Sequence, residues 1–197
     1  RRQRQMCIRD RFYIPRYFGY ENYGEPDDCK IPNGDDINIQ FNGSLRDYQE
    51  EVVDVYLNKI KQSRFGGGGL LELKTGAGKT VIGLNIISRV GKKALIIVHK
   101  GFLLNQWIER IEQYLPNARV GKIQGQIIDI ENKDIVIGML QSLSMKDYPP
   151  EVFSSFGMTV VDEVHHISSE VFSRSLTKIV TRYTLGLSAT MTRKDGL

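Results

Sequence analysis

The chain has 197 residues, 41% hydrophobic and 25% charged, a globular composition for one domain of ordinary size. No apolar run approaches the roughly 18 residues of a membrane span, so no membrane-spanning helix is expected within these residues, which read as soluble. The net charge of +4 does not argue for a nucleic-acid partner, because Arg1, Arg2, Arg4, Arg9 and Arg11 against Asp10 supply all of it and residues 12–197 are neutral.

The first residue is Arg1 rather than Met, so the chain is expected to be a piece of a longer protein. Residues 1–11, "RRQRQMCIRDR", have no apolar period and read as a sequence artefact; the functional alternative is a basic arm on phosphates. Cys7 and Cys29 are too few and too far apart for a CxxC metal site. They read as reduced thiols of an intracellular protein, and no signal-peptide core is present.

Residues 12–40 run from aromatic ("FYIPRYFGYENYG") to polar ("EPDDCKIPNGDD") and are expected to be an extended lead-in with little regular structure. Phe12, Tyr13, Tyr17 and Phe18 either cover a patch of the next domain or stack on bases beside Arg16. The folded unit is then 41–197. "SLRDYQEEVVDVYLNKI" predicts a helix, with Ser44 as N-cap and Leu45, Tyr48, Val52, Val55 and Tyr56 at helical spacing. "GGGG" at 66–69 breaks the chain before a short strand, "LLEL". A helix over 80–90 follows.

The alternation continues. "ALIIV" (94–98), "DIVIGM" (134–139), "MTVVDE" (158–163) and "YTLGLSAT" (183–190) read as strands, and "FLLNQWIERIEQYL" (102–115) as an amphipathic helix with Trp107 and Ile111 on its apolar side. Apolar strands separated by helical segments predict an α/β fold, a mainly parallel sheet with helices on both faces.

Between the first strand and its helix lies "TGAGKT". Glycines 76 and 78 allow the backbone N–H groups of Thr75, Gly76, Ala77 and Gly78 to surround a polyphosphate at a helix N-terminus. Lys79 would reach the β and γ phosphates and the Thr80 hydroxyl would hold Mg2+. The GxxxxGK[ST] pattern asks for glycine at 73, where Leu73 stands, and a plain glycine hinge is the bland alternative. In "VVDEVHH" (160–166), Asp162 ends an apolar strand where a carboxylate can hold the same Mg2+. Glu163 can orient or deprotonate a water, which points to hydrolysis. The bland alternative is a strand ending in solvent. Adjacent His165 and His166 do not share a helical face and make a poor metal pair.

Taken in order, "LRDYQEEVV", GAGKT, DEVH and "LGLSAT" resemble the Q-like motif and motifs I, II and III of superfamily 2 helicases and translocases, over roughly residues 37–197. "LRDYQ", DEVHH and "GLSATMTRKDG" are most similar to the xeroderma pigmentosum group B type and to restriction-enzyme-type helicases, including those of large DNA viruses. The resemblance implies a three-layer RecA-like first lobe, with ATP and Mg2+ as cofactors. It implies adenine contacts from Arg46 and Gln49, and coupling of the nucleotide site to the nucleic-acid face through His165, Ser188, Ala189 and Thr190. "HKGFLLNQW" (99–107) corresponds to motif Ia, which makes Lys100 and Gln106 candidates for a strand's phosphates and leaves Trp107 to the core. Lys74 stands where the family often has proline. Arg193, Lys194 and Asp195 replace a common Arg-Glu-Asp triplet.

The expected activity is that of an ATP-dependent DNA helicase or translocase, with a second RecA-like lobe as partner and no membrane. The alternatives are an RNA-directed relative and a nucleotide-binding module without turnover. The 197-residue chain alone is expected to hydrolyse almost nothing, since half of the cleft belongs to the second lobe.

Overall fold

The computed structural model describes residues 14–149, 151–166, 176 and 178–189. Its centre is a seven-stranded sheet. In chain order the strands are β1 (Gly68–Glu72), β2 (Ala94–Val98), β3 (Val120–Gln124), β4 (Ile127–Ile128), β5 (Ile135–Met139), β6 (Met158–Val161) and β7 (Tyr183–Ser188). They lie side by side as β1-β7-β6-β2-β5-β3-β4, and every pairing is parallel except the β3–β4 hairpin at the edge.

The described residues include the helices α1 (Arg16–Tyr23), α2 (Asp47–Lys61), α3 (Lys79–Val90), α4 (Gly101–Tyr114), α5 (Leu140–Met145) and α6 (Glu151–Ser154). Every residue of β2 and β5 is buried, because the sheet is covered twice. Ala94, Ile96 and Val98 face the core shared with α2, α3 and α4, where Ile82, Ile86 and Ile111 pack. Leu95 and Ile97 face the opposite core, with Leu140 and Leu143 of α5 and Phe153 of α6. This is the three-layer α/β arrangement that the strand runs predict. Among the described residues no helix is long and apolar enough to cross a membrane.

Two local expectations are corrected. The lead-in is not extended throughout, since residues 16–23 form α1. A helix of eight residues has little stability of its own, and none of its residues is buried. It is tied to the sheet by Arg16, which donates to the Thr181 carbonyl at 2.8 Å, and by the Tyr17 and Thr184 hydroxyls. Beyond it, the chain runs along the N-terminal ends of the strands, where Ile37 donates to the Gly91 carbonyl and Lys93 to that of Asp35.

In α2 the cap is Arg46, not Ser44, and the register differs from the expected one. The buried side chains are Gln49, Val53, Tyr56, Leu57 and Ile60, while Val55 is 65% and Tyr48 40% exposed. Tyr48 is turned toward the loop before α3 instead of the core. Cys29 is partly buried; Cys7 and the basic stretch 1–11 lie outside the described residues, as do Phe12 and Tyr13.

The entries to β3 and β5 are clamped by Arg119, whose backbone N–H and guanidinium all reach the carboxylate of Asp134, with nitrogen–oxygen distances of 2.8–3.0 Å. Asp134 is 7% exposed, and the Arg119 hydrogen bond holds its pKa below the ordinary 3.8, against the opposing effect of burial. A lowered folded-state pKa means that the stabilisation is present above the unfolded value and is lost as pH falls through the folded one. Asp134→Asn is therefore expected to cost about 1.5–3 kcal/mol at neutral pH, the range for hydrogen bonds to a charged group. The gap from the native chain should close below pH 3.8, as read from denaturant unfolding at several pH values.

Candidate nucleotide site

β1, β7 and β6 are adjacent, so the turns that leave their C-terminal ends meet in one place, where open α/β sheets carry their ligands. From β1 the chain enters Leu73 and Lys74. It then turns at Thr75–Gly78, closed by the Ala77 N–H on the Lys74 carbonyl at 3.1 Å, and starts α3 at Lys79.

The two glycines of the turn serve different ends. Both have left-handed backbone, φ 84° at Gly76 and 83° at Gly78, a conformation that costs other residues about 1–2 kcal/mol. A Cβ on Gly76 would meet nothing within 4 Å, leaving the mouth of the loop open. A Cβ on Gly78 would lie 2.5 Å from Nε2 of Gln49. That amide donates to the Ala77 carbonyl at 2.9 Å, and the Tyr48 hydroxyl donates to the same oxygen at 2.8 Å. Gln49 also accepts from the Arg46 N–H through Oε1. The first turn of α2 thus fixes the middle of the loop, with Gln49 buried and the side chain of Arg46 exposed.

Asp162 and Glu163 follow β6. Asp162 is 6% exposed, and its backbone N–H continues the sheet onto the Ile97 carbonyl of β2. Its Oδ2 accepts from Trp107 Nε1 at 2.8 Å and its Oδ1 from the Glu163 N–H at 2.9 Å. Burial pushes this carboxyl above its ordinary value. The Trp107 hydrogen bond pulls down, the Glu163 charge pushes up, and the Glu163 N–H and Lys79 ammonium pull down again.

Glu163 has φ 51°, the left-handed region, and such strain in a bulky residue persists only where the surroundings hold it. Its side chain bridges two neighbours, with Oε1 3.4 Å from Lys79 Nζ and Oε2 3.3 Å from His165 Nδ1. His165 sits in the 3-10 turn Val164–His166, and its Nδ1 is 3.0 Å from the Ser188 hydroxyl at the end of β7. The Ser188 carbonyl accepts from the Leu73 N–H at 3.0 Å. Lys79, Glu163, His165 and Ser188 therefore form one run of contacts that returns to the strand feeding the glycine turn.

The sites read from the sequence fall into three groups. Lys79, Asp162, Glu163, His165 and Ser188 come together. Thr75, Gly76, Ala77, Gly78 and Thr80 form the turn and the first helical residues beside them, with Arg46 and Gln49 behind. Lys100 caps α4 and Gln106 lies on it, both exposed, past the end of β2 next to β6. Ala189 follows β7, whereas Thr190 and the triplet Arg193, Lys194 and Asp195 lie outside the described residues.

Two participants were not read from the sequence. The spacing in α2 predicts Tyr48 on the core face, and the sequence leaves Trp107 to the core alone. The one signal available for Trp107 is that a buried indole N–H needs an acceptor.

The residues fit a magnesium-bound triphosphate. The turn leads into the N-terminus of α3, where a helix favours an anion, with Lys79 as the first helical residue, and the Asp162 carboxylate is buried. Among the described residues no group of three or more His, Cys, Asp or Glu side chains is gathered for a metal cage. Mg2+ needs none, since it is commonly held by one or two carboxylates together with substrate phosphates and water.

Residues 42–193 match the family described as type III restriction enzyme, res subunit. Over 186 residues the chain is 38% identical to L396, a proposed ATP-dependent RNA helicase of Acanthamoeba polyphaga mimivirus, covering 93% of this chain and 35% of that protein. Over 152 residues it is 37% identical to the DNA 3'-5' translocase XPB2 of Sulfurisphaera tokodaii, covering 77% and 32%. The chain thus spans about a third of the length of these relatives. Its fold is similar to the Sulfolobus solfataricus SWI2/SNF2 ATPase core in complex with double-stranded DNA, with a TM-score of 0.64 at 22% identity, covering 85% of this chain and 36% of that one.

Proposed function

The chain belongs to the type III restriction enzyme res subunit family and carries a superfamily 2 helicase first RecA-like lobe, and from that premise we propose that it is the ATP-hydrolysing lobe of a DNA helicase or translocase. The observation that carries the reading is the run of contacts Lys79–Glu163–His165–Ser188 beside the buried Asp162.

In this reading the turn at Thr75–Gly78 and Lys79 bind the phosphates of ATP, while Thr80 and Asp162 hold Mg2+. When bound, the metal neutralises charge on the transferred phosphoryl group. Glu163 takes a proton from the attacking water as the water oxygen bonds to the γ-phosphorus and the bond to the bridging oxygen breaks. Arg46 and Gln49 are the proposed adenine contacts, which puts the base against the first turn of α2.

His165, Ser188, Ala189 and Thr190 are the proposed link to the nucleic-acid face, and Lys100 and Gln106 the proposed phosphate contacts there. Binding through phosphates makes affinity fall with salt. A second lobe would supply the remaining wall of the cleft, so the chain alone should bind nucleotide weakly and turn over close to none.

Similarity to the DNA translocase XPB2 supports DNA as the substrate, and similarity to L396, named for RNA, favours an RNA-directed reading as the second choice. The test is ATP turnover of the longer parent protein alone, with single-stranded DNA, and with RNA of the same sequence. Stimulation by DNA is the expected result. Stimulation by RNA alone would move the second reading forward, and no stimulation by either would overturn both.

A further inference from the structure

Trp107 is the chain's single tryptophan, and it lies 1% exposed between three elements of the nucleotide site. It belongs to α4. Its ring rests against α3, where a Cβ added to Gly83 would come within 3.3 Å of the indole Cη2, so the absence of a side chain at 83 lets the large ring approach the helix that begins with Lys79. Its N–H points at the end of β6 and donates to Asp162 Oδ2 at 2.8 Å.

With Oδ1 already held by the Glu163 N–H, both oxygens of the carboxylate are fixed by donors outside the glycine turn. A tryptophan needed only for volume has no cause to aim its one polar atom at the single carboxylate expected to face the metal. Phenylalanine would fill most of the same space.

We propose that Trp107 is a positioning residue for Mg2+: its indole N–H orients the Asp162 carboxylate, so that the metal-facing oxygen geometry is set before nucleotide arrives. This rests on the reading of Asp162 given under Proposed function. Partners that orient a metal-binding carboxylate typically matter 10- to 100-fold in metal affinity when removed.

The single tryptophan makes the idea directly measurable. Labelled with 15N-tryptophan, the 197-residue chain should show one indole N–H resonance. Asp162→Asn should displace it, because the charged acceptor is gone, and Mg2+ with ADP should displace it further than ADP with a chelator. Trp107→Phe keeps an aromatic ring against Gly83 but has no donor. It should leave metal-free ADP binding unchanged and cut the enhancement of ADP affinity by Mg2+ about tenfold or more.

An indole resonance that is the same in Asp162→Asn as in the native chain would overturn the proposal without requiring any tryptophan variant to fold. So would a Trp107→Phe chain with the full Mg2+ enhancement, while leaving the nucleotide site itself standing. A native chain that binds ADP equally with and without Mg2+ overturns the metal reading of Asp162, and this inference with it.

Discussion

Glu163→Gln in the longer parent protein is expected to lower ATP turnover by about 10²- to 10⁴-fold, the usual contribution of a positioned general base, with ATP affinity changed far less. The side chain is held by its surroundings instead of by preference: the backbone is left-handed at φ 51°, and the two carboxylate oxygens reach Lys79 and His165 at 3.4 and 3.3 Å. Glutamine has the same shape and can still bond to the lysine or the histidine through its oxygen, so the loop should keep its path. What it lacks is the capacity to take a proton from water. The signature is therefore a fall in kcat with KM nearly constant, together with retained binding of ATP by equilibrium dialysis. Turnover equal to that of the unchanged protein would remove Glu163 from the reaction and favour a module that binds nucleotide without consuming it.

The parts of the fold legible in the sequence are those where a single physical signal dominates. β2 and β5 are uninterrupted apolar runs because they are buried on both faces, and the glycine turn stands out because Gly76 and Gly78 adopt a left-handed backbone that other residues rarely take. β3 and β4 carry no such signal. β3 reads "VGKIQ", partly buried and mixed with polar residues, and β4 is a two-residue edge with both isoleucines 46% exposed.

Helix α2 was recognisable, but its register was not. Tyr48 and Val55 fit an apolar stripe as well as Val53 and Ile60 do, and only the packed structure shows that Tyr48 serves the loop at Ala77. α1 depends on contacts with Thr181 and Thr184, more than 160 residues away along the chain, which no local pattern can report. The same holds within the candidate site. The types and order of Lys79, Asp162 and Glu163 were visible in the sequence, whereas the donor on the Asp162 carboxylate comes from a helix that reads as amphipathic packing. A hydrogen bond between residues 55 positions apart is a property of the topology that places β2 beside β6.

Lys79→Ala is expected to bring ATP turnover of the longer parent to background and to weaken ATP binding by about 10- to 100-fold, the equivalent of losing charge-assisted hydrogen bonds of about 1.5–3 kcal/mol. Lys79 opens α3 with its side chain 10% exposed, so its ammonium is held at the helix N-terminus, where the backbone N–H groups are also directed. Alanine is the best helix former, so α3 itself should not suffer. The substitution also leaves Glu163 with His165 as its remaining ionisable contact among the two that bridge it. Binding of a nucleoside should change less than binding of a triphosphate, because in the proposed reading the lysine acts on the phosphate end of the ligand and α2 on the other. Titrations of adenosine, ADP and ATP against the native and Lys79→Ala proteins check this. The loss should grow from the first ligand to the last, and an equal loss for all three would mean that the variant had disturbed the loop at large instead of removing a phosphate contact.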